Sequence, residues 1–208
     1  QPLRFAFHKQ DDRRVFTQEI VQTAQGDVAR LVAVNDAPLT PAARQAEATR
    51  LRALAASPAL QQHRFRREQA DQARVDKLLG LLPDAFLYQQ EATEQQGHIV
   101  RLRFRPNPDF RPPSREAQVF RGMEGTLWVD VAALRFTKAE GALFQSVSFG
   151  WGILGKLDKG GSFSVEESEV APDMWRIANL RLHFDGNILI FKSIQFRVQD
   201  HSYGYGRV

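Results

Sequence analysis

The chain has no cysteine among its 208 residues, and that single absence removes disulfides, thiolate metal sites and cysteine nucleophiles together. It also lacks any run approaching the roughly 20 apolar residues that a membrane-spanning helix requires, so no transmembrane segment is expected. The five histidines, His8, His63, His98, His183 and His201, lie far apart. None forms a short ligand spacing such as His-x-x-x-His, so a metal site would have to be assembled across strands, and none is expected. No G-x-S-x-G surrounds Ser146, Ser148, Ser162 or Ser164, which leaves serine-hydrolase chemistry without its nucleophile elbow. Neither a repeat of fixed period nor a low-complexity tail is visible. The chain begins at Gln1-Pro2-Leu3 without an initiator methionine, and the expectation is a mature chain whose signal peptide has been removed.

What is present is ordinary for a folded domain: 43% hydrophobic and 25% charged residues, enough for a real core. The formal charge of +4 is carried mostly by dispersed arginines; this balance permits nucleic acid without indicating it, and no nucleic-acid partner is expected. Fifteen phenylalanines against three tyrosines supply rings without hydroxyl partners, suited to a core or to a greasy pocket.

The strongest signal is a two-residue period over the second half of the chain. Val100, Leu102 and Phe104 alternate with Arg101, Arg103 and Arg105, so a pleated strand places the apolar bulk on one side and the guanidinium groups on the other. The same period recurs in Leu127, Val129 and Val131, in Val147, Phe149, Trp151 and Ile153, and in Leu180, Leu182 and Phe184. It appears once more in Ile188, Ile190, Ile194, Phe196 and Val198. Residues 3 to 34 read as strands as well, with a turn at Gln25-Gly26-Asp27. Between these regions Thr40-Pro41 and Ser57-Pro58 each give a cap followed by a first-turn proline. They predict one helix from Ala42 to about Ala56 and a second to about Leu82, stopped by Pro83-Asp84. Arg64, Arg66, Arg67 and Arg74 on the second helix, offset only by Glu68 and Asp71, read as a solvated face or as a surface for an anionic partner. Pro106, Pro108, Pro112 and Pro113 exclude a central strand over 105–114; this is a loop, read either as a stiff connection or as a crossing of the sheet's opening in which Phe110 caps an apolar cavity.

Two further patterns need weighing. Gly150-Trp-Gly-Ile-Leu-Gly155-Lys156 matches the letters of a phosphate-binding glycine motif, but such a motif needs a helix after it. Phe163 and Val165 continue in strand alternation instead, so the glycines are expected to make room in a bent strand and to bind no nucleotide. Glu166, Glu167 and Glu169 form the one acidic cluster, open either to acid–base chemistry or to a strand end emerging into solvent.

The order of elements, together with Gly125-Thr-Leu-Trp-Val-Asp-Val-Ala-Ala-Leu-Arg-Phe-Thr-Lys-Ala-Glu140, resembles the periplasmic lipoprotein-carrier superfamily of LolA-like and LolB-like outer-membrane lipoprotein-sorting proteins. The quoted stretch looks like that family's hairpin, a G-x-L-W-[IV]-D strand, a short turn and a return strand. The order of elements covers nearly the whole chain; the motif itself is short. The resemblance implies an open, incomplete β-barrel with helices across its mouth, enclosing an apolar cavity for acyl chains, in a protein that is periplasmic or associated with the bacterial outer membrane.

The expectation is therefore an α+β single domain over residues 1–208, with strands at about 3–34, helices at about 41–82 and a strand meander at about 86–200. A strongly curved antiparallel sheet would carry two or three helices on its concave face. The expected function is non-enzymatic: binding or carriage of a lipid, a lipoprotein acyl chain or another apolar ligand in the cell envelope, with no cofactor. Candidate lining residues are Leu127, Trp128, Val129, Phe149, Trp151, Leu182, Phe184 and Phe196, with Phe110 from the loop. A slip of one residue exchanges the two faces of any strand. The first alternative is an envelope protein-interaction module with a filled core; an enzyme with residues gathered from several strands is the second.

Overall fold

The structure, a computed structural model, describes residues 3–10, 14–149, 155–171, 174–188 and 192–207. In chain order these form β1 (Leu3–Gln10), β2 (Val15–Thr23), β3 (Gly26–Val34) and β4 (Ala37–Pro38), then α1 (Pro41–Ala56), α2 (Pro58–Leu79) and the single turn α3 (Leu82–Ala85). There follow β5 (Phe86–Glu94), β6 (Ile99–Pro106), β7 (Met123–Asp130), β8 (Arg135–Leu143), β9 (Val147–Phe149) and β10 (Gly155–Leu157). The chain ends with β11 (Ser162–Ala171), β12 (Met174–Ile188) and β13 (Lys192–Arg207). The described residues are thus mostly antiparallel strand with three α-helices, as the alternation predicts. Of the last apolar run, Ile188 closes β12 as described and Ile194, Phe196 and Val198 fall within β13, while residue 190 lies outside the described residues. β13 also runs beyond the expected limit near residue 200, because Tyr205 stacks on Phe5 of β1 with ring centroids 4.9 Å apart.

The chain forms two compact units, 1–77 with 200–208, and 78–199. In the first, the hydrogen-bonded order is β4-β3-β2-β1 and then the end of β13. In the second, the start of β13 is followed by β12, β11, β8, β7, β6 and β5, with β10 pairing both β12 and β9. The sheet is not closed: the path ends at β4 on one side and β5 on the other.

The first unit solves an edge problem with charged side chains. β3 pairs with β2 along its length, but on its other side meets β4 only at Ala33 and Val34. The outward backbone groups of residues 27, 29 and 31 would otherwise be open to another strand. Helix α1 begins as the sequence predicts, with the Thr40 hydroxyl accepting from Ala43 N at 3.2 Å and proline at the first helical position. It places Glu47 so that Oε1 accepts from Leu31 N at 2.8 Å, and Arg50 so that Nη2 donates to Ala29 O at 2.6 Å. On α2, Arg64 donates to Asp27 O, while Glu68 accepts from Asp27 N at 3.2 Å. Within each pair the side chains also bind one another, Arg50 to Glu47 at 2.7 Å and Arg64 to Glu68 at 3.1 Å. Gly26, at φ +95°, turns the β2–β3 hairpin directly beneath Glu68, where a Cβ would collide with that carboxylate.

The second unit has a sheet with two unlike faces. Residues directly opposite in antiparallel strands share a face, so the register writes out cross-strand rows. Leu102, Leu127, Ala139, Val165 and Leu180 form one row across β6, β7, β8, β11 and β12. Phe104, Gly125, Gly141, Phe163 and Leu182 form the next. The glycines are required there: a Cβ on Gly125 would stand 2.7 Å from Phe104 Cζ, and one on Gly141 would stand 2.5 Å from Phe163 Cε1. Two rings from flanking strands therefore lie over a glycine pair that supplies no side chains of its own. At this end of the face Phe86, Phe104 and Phe120 pack edge to face, at 4.8 and 5.5 Å from Phe86, with Ala85 and Ala117 buried among them.

Two outcomes follow. Glu47 is almost covered, and its carboxyl is held below the ordinary carboxylate range chiefly by the Arg50 hydrogen bond, with the Leu31 N–H adding to it and burial opposing both. A group depressed in the folded state contributes stability that is fully present above its unfolded pKa and is lost as pH falls through its folded pKa. Glu47→Ala should cost about 1–2 kcal/mol at pH 7 in urea denaturation, and the gap to the parent chain should shrink as pH falls below about 4. In the second unit, Gly141→Ala should cost about 1–3 kcal/mol by overpacking. Adding Phe163→Leu should recover only part of it, because Glu124 O also stands 2.7 Å from the new methyl, and a double-mutant cycle by thermal denaturation measures the coupling.

Candidate functional site

The side of the second unit that carries those apolar rows holds the expected binding residues in part. Leu127 lies in the Leu102 row and packs against the buried Phe86, Phe104 and Phe120 cluster. Val129 is opposite Val100 on one side and Phe136 on the other, after a register shift beside Trp128. Leu182 is opposite Phe163, and the Phe184 ring lies against Gly161. Phe149 ends β9 opposite Gly155 and is half-buried. Phe110 packs onto the same aromatic cluster as Leu127. Its loop is fastened by Asn107, whose N–H donates to Ala85 O and whose Nδ2 donates to Asp84 O, both at 2.9 Å. Trp151 lies outside the described residues, as does the side chain of Phe196 on β13.

Trp128 does not share this face. It lies between Leu127 and Val129 and so points to the other side, where Lys138 Nζ sits 4.9 Å over its ring. Apart from Trp128 itself, two cross-strand rows on that face are polar. One row is Arg101, Trp128, Lys138, Glu166 and Asn179; the next is Arg103, Thr126, Glu140, Ser164 and Arg181. Lys138 Nζ is 2.7 Å from Glu140 Oε1 and 3.9 Å from Glu166 Oε1, and Arg101 reaches Glu94 at 3.3 Å and Glu91 at 3.5 Å.

The acidic cluster resolves into separate structural roles. Asn179 Nδ2 donates to Glu166 at 2.8 Å, while Glu167 accepts from Arg135 Nη2 at 2.7 Å across a register shift between the two glutamates. Arg135 also lies 4.9 Å over the Trp175 ring. Glu166 and Glu167 therefore each hold their own partner and do not pair with one another as an acid and a base. Among the described residues no group of three His, Asp or Glu side chains is placed to hold a metal. Of the glycine motif, residues 150–154 lie outside the described residues; Gly155 and Lys156 open β10, a strand, and no helix N-terminus is offered to a phosphate there. The hairpin quoted for the family resemblance is formed by β7 and β8, and Asp130 closes its turn by accepting from the N–H of Ala132 and of Ala133, each at 2.9 Å. Among the described residues no helix is long and apolar enough to cross a membrane.

Phe163, Val165 and Leu180, which the alternation marks as strand residues but which were not among the expected lining residues, belong to the same apolar face. Their place on it becomes visible only when β8 is seen to pair with β11, passing over β9 and β10 in the chain. Comparison with known proteins finds no matching family model, no matching curated protein and no matching solved structure.

Proposed function

We propose that this chain is a non-enzymatic carrier of an apolar ligand, a lipid or a lipoprotein acyl chain, in the bacterial cell envelope. In this reading the sheet is strongly curved, an open and incomplete barrel, with the helices on its concave side and acyl chains held against its apolar face. The observation that carries it is the partial cover of that face. Val100, Leu102, Leu127, Val129, Val165, Leu180 and Leu182 are all apolar and all only half-buried, although their rows run across five adjacent strands. Contiguous apolar surface of that kind marks a place where something binds. The resemblance of the β7–β8 hairpin to the lipoprotein carriers supplies the ligand class. A second reading, an interaction module with a filled core, is favoured by the Phe86, Phe104 and Phe120 packing, which closes one end of the face.

A fluorescent fatty-acid probe separates the two. Saturable uptake should change little between low and physiological salt, because burial of acyl chains is driven by the hydrophobic effect and is almost indifferent to screening. Leu180→Asp, with its fold checked by circular dichroism, should weaken uptake at least tenfold. Absence of uptake at both salt concentrations would pass the function to the interaction module.

A further inference from the structure

We propose that the polar face of the second unit carries a binding site for a phosphate group, centred on Arg181. A cavity of about 460 Å³ opens there, its wall made by the polar residues Glu140, Ser162, Ser164, Arg181, His183 and Gln199 together with Gly141, Phe163 and Leu182 of the neighbouring apolar row. Its size is that of a small-molecule site. The register fixes the arrangement: Ser164 is directly between Glu140 and Arg181, and Ser162 is directly opposite His183. One guanidinium, two hydroxyls, an imidazole and a carboxamide thus face one space. They can offer more hydrogen-bond donors than a planar carboxylate can accept, and they suit the several oxygens of a tetrahedral phosphate.

Charges of both signs stand on and around the cavity, Arg181 and Lys138 against Glu140, Glu166 and Asp185, and what opens it to an anion is the state of Arg181. Glu140 is the one carboxylate on its wall, and Lys138 compensates it at 2.7 Å, while the Ser164 hydroxyl lies 3.4 Å from the same oxygen. His183 Nε2 lies 3.5 Å from Asp185 Oδ2, which orients the ring. Arg181 is exposed and, among the described residues, is engaged in no ion pair or hydrogen bond. Arg101 on the same face differs, since Glu91 and Glu94 already hold it. The Arg181 guanidinium is therefore available for a bidentate contact, the geometry in which arginine binds phosphate best. The Glu140 carboxylate is then placed to accept from a hydroxyl on the organic part of the ligand. The polar side chains of this site project from the opposite face to the apolar rows, and the proposal holds whether or not those rows take an acyl chain.

The test uses the full chain, with glycerol 3-phosphate as a soluble probe and vesicles of phosphatidylglycerol as a surface that presents phosphate. In an amide NMR titration, glycerol 3-phosphate should give saturable shifts at Ser162, Ser164, Arg181 and His183. Arg181→Gln should weaken binding at least tenfold, and Ser164→Asp should abolish it by placing a carboxylate in the centre. Arg103→Gln, which removes the same charge from the same face outside the cavity, should change it less than twofold. Vesicle flotation that Arg181→Gln releases would assign the phosphate to a lipid headgroup; saturable glycerol 3-phosphate binding without flotation would assign it to a soluble ligand. The proposal is overturned if neither probe binds up to about 10 mM phosphate. Equal loss from Arg103→Gln and Arg181→Gln, or unchanged binding in Arg181→Gln, would overturn it as well.

Discussion

The meeting of Gly125 and Gly141 across β7 and β8 is the constraint on which the apolar side of the second unit depends. Two adjacent strands without side chains at that row leave a trough in the sheet, and the rings of Phe104 and Phe163 lie into it from either side. Aromatic cover of glycine in this manner restores the packing that glycine forgoes. It also fixes register, because a slip of one residue would bring a side chain under each ring. Once the row is set, the neighbouring row of Leu102, Leu127, Ala139, Val165 and Leu180 must share its face, and the arginines, serines and glutamates must share the other. The proposed ligand chemistries follow from this division: hydrophobic contact on one side, charge and hydrogen bonding on the other.

The first unit uses charge differently. There an arginine and a glutamate on each helix bind the open backbone of β3 and bind one another, so polar helices are attached without a large apolar contact. Among the residues of α2 none is buried, and on α1 only Leu54 is. Hydrogen bonds to ionised side chains are stronger than those between neutral groups. The same four side chains remove an edge that would otherwise invite pairing with another chain. Part of the arginine richness of α2 thus serves the sheet: Arg64 reaches β3, while Arg74 pairs with Asp71 on its own helix.

Strand identity was legible because alternation reports one-sided burial, and Val100, Leu102 and Phe104 against three arginines leave little choice. The Thr40-Pro41 helix start was legible because it is local, made by a side chain binding backbone three residues on; the turn after Asp130 is equally local, but it was expected only from the hairpin resemblance. Pairing between distant strands was not. Nothing local in Gly141 announces Phe163, and nothing in Ser164 announces Arg181, since chain order is broken by β9 and β10. Trp128 illustrates the limit of composition as a guide: an indole reads as apolar, yet alternation sends it to the charged face, where its ring receives Lys138. Glu166 and Glu167 are adjacent in sequence, but a register shift gives them different partners.

The central claim is that the apolar rows of the second unit are the surface on which an acyl chain rests. Methyl NMR of the protein mixed with carbon-13-labelled palmitate tests this directly. The account predicts cross-relaxation from the acyl methylenes to the methyl groups of Leu102, Leu127, Val165 and Leu180, four residues brought together only by the register described. Contacts confined to other methyl groups, or none with palmitate in excess, would contradict it.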